Sequence, residues 1–431
     1  MKRLARRRRR ATVLILTLWT VLILSLLATT LAYEMQIEMQ LTGAHRDEFV
    51  AEQLARIGVS RAVVDLRNDN LMDGATDFNR QKQFDALGDV WAGTLGPREI
   101  EITLPGEDEV FGTCQIMIVD EESKLSLNSM KPAWRDVMRN LLLLLDVDED
   151  DANQLADAIW DWKDPDNVPV GGEGDDEGAY YAQFGDGPGK EADGVGRVRP
   201  KNGPFHAVEE LLEIPGMTAE IFYGYDPKEV ADPEFFPPRS IQESRERPPG
   251  LRELVTVRTD QTNLNTVGLE CLAALCGYAA QDLDAGVSLA RRMIEYRQGG
   301  DAEEIDNNQA FRQVSDATNS GECTATHLAK MKEATILTTQ SQFFTIYSRA
   351  QVGRHRERIR SSRSGREVDR PLPTARIVAE CGRSIITYSG EDLDEWAPPG
   401  YREPSSKDET KKTAITRWFV PVVYFKRWVS Y

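Results

Sequence analysis

The stretch that decides the fold is ATVLILTLWTVLILSLLATTLAY (Ala11–Tyr33), followed by EMQIEMQLTGAHRDEFVAEQLARIGVSRAVVDL (Glu34–Leu66). Ala11–Tyr33 holds 23 uncharged residues in a row. As a helix rising about 1.5 Å per residue it measures about 34 Å, enough to cross a hydrocarbon core of about 30 Å once. Beyond it Phe49, Val50, Leu54, Ile57, Val63 and Leu66 recur at three- and four-residue spacings among Asp47, Glu48, Glu52, Arg56 and Arg61, the pattern of an amphipathic helix with one core-facing side. The stretch predicts one long helix, half in lipid and half out, loosened at Gly43 and Gly58 because glycine costs about 1 kcal/mol in a helix interior. A cleaved secretory signal is the competing reading, but its apolar region usually runs about 7–15 residues, and Thr30-Leu31-Ala32 is a weak small-x-small site.

Charge sets the orientation. The 431 residues carry a net charge of −18, yet Lys2, Arg3 and Arg6 to Arg10 put seven positive charges before the apolar run. Without those seven the charge falls to −25. A basic flank stays cytoplasmic, so the acidic body is expected on the far side of the membrane. An acidic body also argues against nucleic acid, whose binding needs a basic face that releases counterions.

Along the body, Arg98–Thr103 and Val110–Val119 read as a hairpin around Pro105-Gly106, since period-two patterns bounded by turn residues mark strands. Helical signals then run to about Thr335, and strand signals return at Gln342–Arg349, Ala375–Glu380, Arg383–Tyr388 and Trp418–Phe425, where Pro421 points to an edge or bulge. The economical topology is an α+β domain interrupted by a helical insertion, with the late strands completing the first sheet. Glu391–Lys412 reads as a polar linker, and Trp418–Tyr431 as either a closing strand or a docking tail.

One local chemistry stands out. Hard cations take several oxygen ligands from flexible acidic loops, and Asp161, Asp164, Asp166 and Glu173 cluster around Pro169 and Gly171-Gly172, with Asp175, Asp176 and Glu177 following. On the residues alone, a solvated acidic loop and a cation site are both open. Asp146–Asp151 imitates an EF-hand opening but has Asp151 at the turn-glycine position and Asp157 in place of the bidentate Glu; it reads as a helix start favoured by the dipole. Enzyme signatures fail. His45, His206, His327 and His355 are scattered, and Gly185–Lys190 lacks both the first glycine and the hydroxyl residue of a phosphate loop. Cys271 and Cys276 are poorly spaced to bridge, while a disulfide among Cys114, Cys323 and Cys381 stays open.

The chain resembles the type IV pilin and type II secretion pseudopilin superfamily, in which a prepilin peptidase cuts a basic leader just before an apolar helix. Here Ala11 stands where the family usually has Gly, and Thr12 becomes the first mature residue. The usual Glu at the fifth mature position is replaced by Leu16, a mark of the minor pseudopilin K branch (general secretion pathway protein K). Three stretches follow that branch in order: Asp120–Asn128 (DEESKLSLN), then Asp161–Asp166 (DWKDPD) through Lys201–Phe205 to Val208–Met217, then Asn263–Thr266 (NLNT) before a helix at Val267–Cys276, with Thr338–Arg349 resembling the returning strand. Leu212–Met217 and the helix after Asn265 also resemble helix-hairpin-helix modules, of which only the fold likeness is kept.

The resemblance implies an α+β protein. A pilin-like N-terminal helix packs on an antiparallel sheet and a large α-helical, SAM-like or helix-hairpin-helix-like domain is inserted. The segments are a leader at 1–11, a transmembrane helix at 12–33, the first part of the pseudopilin domain at 34–128, the insertion at 129–335, and returning strands with the tail at 336–431. It implies calcium near Asp161, Asp164, Asp166 and Glu173. It also implies a single-pass inner-membrane subunit with a periplasmic body, capping or initiating the pseudopilus tip for export across the outer membrane. The partners would be other minor pseudopilins, the major pseudopilin and prepilin peptidase, and no reaction would be catalysed. The alternative is a periplasmic enzyme or binding protein that uses the helix only as a tether.

Overall fold

The computed structural model describes residues 2–71, 84–92, 98–103, 110–170, 177, 180, 200–225, 249–299, 309–352, 358–360, 367–369, 374–388 and 416–427. The linker at 391–412 and the glycine-rich loop at 185–190 lie outside them.

The expected long helix is one element, α1 (Lys2–Leu71). Among the described residues it alone is long and apolar enough to cross a membrane. Along the described part of its apolar half the side chains are open, with Leu16, Trp19 and Leu24 all well exposed. Thr20, Thr29 and Thr30 turn their hydroxyls back onto helix carbonyls, which satisfies those hydroxyl groups within the helix itself. From Ala51 onward the helix lies on a sheet. Ala51, Leu54, Ala55, Val59, Ala62 and Leu66 are buried against Cys114, Ile116, Phe344, Ile346, Ala350 and Ile377. The small residues allow close approach, and at Gly58 a Cβ would lie 2.3 Å from Ser348 Oγ and 2.4 Å from Cys114 Sγ. The Ser348 hydroxyl instead donates to the Ala55 carbonyl at 2.8 Å, so this glycine is required by packing.

The elements after α1 are β1 (Arg98–Thr103), β2 (Val110–Asp120), β3 (Leu125–Ser126), α2 (Trp134–Leu144), α3 (Glu149–Lys163), α4 (Ala219–Tyr223), α5 (Leu251–Leu254), β4 (Val255–Thr256), β5 (Gln261–Asn263), α6 (Leu269–Ala280), α7 (Leu283–Arg297), α8 (Ala325–Met331), β6 (Ile336–Thr338), β7 (Phe343–Val352), β8 (Arg358–Arg360), β9 (Glu367–Asp369), β10 (Thr374–Tyr388) and β11 (Thr416–Arg427). The main sheet has the order β1-β2-β7-β10-β11, every pair antiparallel. The helical region therefore lies between two neighbouring strands, and the late strands complete the sheet. The last segment is a closing strand, and Pro421 sits on that edge strand, where a missing N–H costs least. The two strands expected at 375–380 and 383–388 are one continuous β10. All five cysteines are buried and none is joined in a disulfide in this structure, the candidates Cys114, Cys323 and Cys381 included.

The insertion has its own core and is built from two copies of one unit. In the first, β3 pairs in parallel with β4, and Asn128 clamps Phe205 by accepting its N–H at 2.8 Å and donating to its carbonyl at 3.0 Å. In the second, β5 pairs in parallel with β6, and Asn265 clamps Phe311 by the same two bonds, both at 2.8 Å. A 3-10 turn follows each phenylalanine, at Val208–Glu213 and Val314–Ser320. Each turn is capped by a carboxylate, Glu210 or Asp316. Left-handed glycines come next, Gly216 at φ 89° and Gly321 at φ 88°. Then Thr218 and Thr324 cap α4 and α8, each accepting an N–H at 3.2 Å. The last residue of α3 is Lys163 and the last of α7 is Arg297.

Candidate metal centre

The site grows from the end of α3. Glu149, Asp150 and Asp151 occupy its first turn, where carboxylates meet the positive end of the helix dipole; this is the role expected for the Asp146–Asp151 run. Leu155, Ile159 and Trp162 bury its apolar stripe. The helix stops at Asp164, which is extended at φ −73° and ψ 154°, because Pro165 excludes the helical conformation from the residue before it.

This stop places Asp161 and Asp164 beside each other, and the loop brings Glu177 back to them. Carboxylate oxygens of the three residues lie within 4.8 Å of one another, and the residues are 0%, 5% and 0% exposed. Both oxygens of Asp161 accept the Val170 N–H at 3.1 Å, and the Glu177 N–H donates to the Asn167 carbonyl at 3.3 Å. Among the described residues, Asp164 Oδ1 and both oxygens of Glu177 are buried without a well-formed hydrogen bond. The Asn202 amide, the group that most favours an ionised Glu177, donates to the Asp166 carbonyl.

Electrostatics follow from this crowding. Burial, reinforced by Asp161, Asp164 and Asp166, pushes the Glu177 carboxyl up to about 7. Burial and then the charge of Asp166 raise Asp164. Lys163, next in the chain, turns the other way. Its ammonium donates to the carbonyls of Leu127 at 2.9 Å and Ser129 at 2.7 Å, and sits 3.1 Å over the Trp134 ring.

Of the residues singled out in the sequence, the structure thus joins Asp161 and Asp164. Asp166 is exposed and accepts the Val168 N–H at 2.9 Å, so it acts on the other two through its charge. Glu173 lies outside the described residues. Glu177 enters in its stead, and nothing in the run Asp175–Glu177 marks it, because loop closure selects it. Buried carboxylates left unpaired are costly, and an oxygen-only set of this kind suits a hard divalent cation such as calcium. A second acid group, Asp69, Asp85 and Asp89, is different: Asp89 accepts from Ala86 N–H and Trp91 Nε1, and Asp85 from Ser341 N–H.

The fold and site define a membrane-anchored α+β protein, with a half-apolar helix laid on an antiparallel sheet and a two-unit helical insertion. Residues 119–229 match the family described as type II secretion system (T2SS), protein K. The matched residues are the end of β2 and most of the first unit of the insertion, about a quarter of the chain. Among solved structures, a chain of the GspK-GspI-GspJ complex from the enterotoxigenic Escherichia coli type 2 secretion system is similar at 17% identity and a TM-score of 0.48, covering 80% of this chain and 94% of that one. No curated protein sequence matches.

Proposed function

We propose that this chain is a minor pseudopilin of type II secretion, a structural subunit and not an enzyme, held in the inner membrane by α1 with its N-terminus cytoplasmic and its body periplasmic, and that it caps or initiates the pseudopilus tip. The observation that carries the reading is α1 itself, a single helix exposed over its apolar half and buried on the sheet from Ala51 onward. Prepilin peptidase cuts between Ala11 and Thr12, and Leu16, in place of the usual Glu, suits a subunit with no further neighbour above it. Other minor pseudopilins and the major pseudopilin are the partners. Past the membrane, Phe49, Ile57 and Val64 stay exposed within about 80° of one another at 100° per residue, an apolar stripe open to neighbouring helices.

Calcium braces the insertion through Asp161, Asp164 and Glu177. The support for this is the three buried carboxylate oxygens without a well-formed hydrogen bond, whose charge a divalent cation neutralises.

Mass spectrometry of the mature chain tests the placement. Loss of Met1–Ala11 with a modified amine on Thr12 is expected; an intact leader, or a cut after Ala32, would sink the reading in favour of a simple tether or a secreted protein.

A further inference from the structure

Where the insertion joins the sheet, the seam is closed by carboxyl groups. Asp120 ends β2, and its Oδ2 accepts the hydroxyls of Thr266, from the second unit, and Ser341, from the segment returning to the sheet. Its Oδ1 accepts the Glu122 N–H at 2.9 Å. Glu122 is fully buried. Its Oε2 accepts the Phe343 N–H at 3.1 Å, its carboxyl also meets that of Asp120, and Oε1 has no hydrogen-bond partner among the described residues. Asp85 closes the third side, accepting the Ser341 N–H at 2.8 Å, while its carbonyl takes the Asn263 amide at 3.3 Å.

The charged groups facing this pair do not neutralise it. Asp85 adds a like charge from the 84–92 segment, with Asp69 and Asp89 beside it. Lys124 reaches the seam, but its ammonium is bonded to Glu121 at 2.9 Å. Glu121 in turn accepts the hydroxyls of Thr256 and Thr345, both at 2.6 Å, and Tyr347 on β7 borders that pair. Two carboxyl groups in contact in a dry site do not both ionise.

We propose that Asp120 and Glu122 share one proton, and that this proton pins the inserted domain to the sheet, so that losing it loosens the seam. Burial and the charge of Asp120 push Glu122 up to about 9, and burial lifts Asp120 to about 6 against its hydroxyl donors. Both values lie above those of the unfolded chain. The stabilisation is therefore fully present below the ordinary carboxyl range and is lost as pH rises toward about 9.

The test is thermal melting of the full-length chain in detergent at pH 6 and pH 9. It is done in a Glu177→Gln background so that the carboxyl raised to about 7 at the metal corner does not contribute. The melting midpoint should fall between the two pH values when Glu122 is present. Glu122→Gln, which keeps the shape and a donor without a titrating proton, should lose most of that fall and melt higher than its parent at pH 9. An equally steep fall in the variant, or a lower midpoint at pH 9, overturns the proposal. If Glu122→Gln does not fold, Asp120→Asn serves: it should also flatten the fall, and an unchanged fall there overturns the proposal as well.

Discussion

The two units of the insertion share a scaffold and differ in one corner. In both, a basic residue ends the second helix and donates to two carbonyls near the clamping asparagine: Lys163 to Leu127 and Ser129, Arg297 to Leu264 and Val267, the latter both at 2.6 Å. In both, the preceding aromatic residue stacks on the clamped phenylalanine, Trp162 on Phe205 with ring centroids 6.4 Å apart and Tyr296 on Phe311 at 5.8 Å. At the corner itself the first unit has Asp161 and Asp164 where the second has Glu295 and Gln298. The difference teaches that the basic pin belongs to the scaffold, while the acid cluster is an addition carried by the longer loop of the first unit alone.

The strongest way to break this equivalence is to remove the pins. Lys163→Met and Arg297→Met should each cost about 3–4 kcal/mol, because two buried carbonyls lose their donor and the apolar replacement offers none. Urea denaturation measures this, and a loss under about 1 kcal/mol at either site would show that the pins are not equivalent. The pin also works through geometry more than charge. Burial pushes Lys163 down to about 6 and Arg297 to about 9, yet a neutral amine still offers two N–H groups to two carbonyls.

A smaller effect sharpens the contrast. Calcium at about a hundredfold its Kd should stabilise the chain by about 3 kcal/mol, and Asp164→Ala combined with Glu177→Ala should abolish this while Arg297→Met leaves it intact. A melting temperature unmoved by a chelator would remove calcium from the first unit. The smallest effect concerns the clamps: Asn128→Ala and Asn265→Ala should each cost about 2 kcal/mol, since each strands an N–H and a carbonyl of a buried phenylalanine. Equal losses by denaturation are expected, and a marked inequality would mean that one clamp is redundant.

The helix at the N-terminus was legible because its signals are local. Periodicity and charge act within a few turns, but the face that meets the sheet is Ala51, Leu54, Ala55, Gly58, Ala62 and Leu66, while Phe49 and Ile57, expected on it, are exposed because large side chains would hold the helix off the sheet. The hairpin and the return of the late strands were legible for the same reason. The duplication was not, because matched roles are filled by different residues: Lys163 and Arg297, Trp162 and Tyr296, Glu210 and Asp316. Hydrogen bonds to main-chain groups ask for a donor or an acceptor at a place and leave the side chain free to vary.

The acid-rich loop shows the limit in one residue. The residues alone left a solvated acidic loop and a cation site near Asp161 and Asp164 both open, and it was the family resemblance that pointed to the cation. Choosing Glu177 from its acidic neighbours required the loop to close, and only closure leaves its two oxygens buried without a well-formed hydrogen bond. The sequence by itself determined the long half-apolar helix, the inserted topology and the acidic character of the body, all of which depend on residue type and spacing. The tertiary structure alone decided which carboxylates meet, at the metal corner and at the Asp120–Glu122 seam. Burial turns a charge from a solvated surface feature into a group that needs a proton, a cation or a partner, and burial is a property of the packed chain.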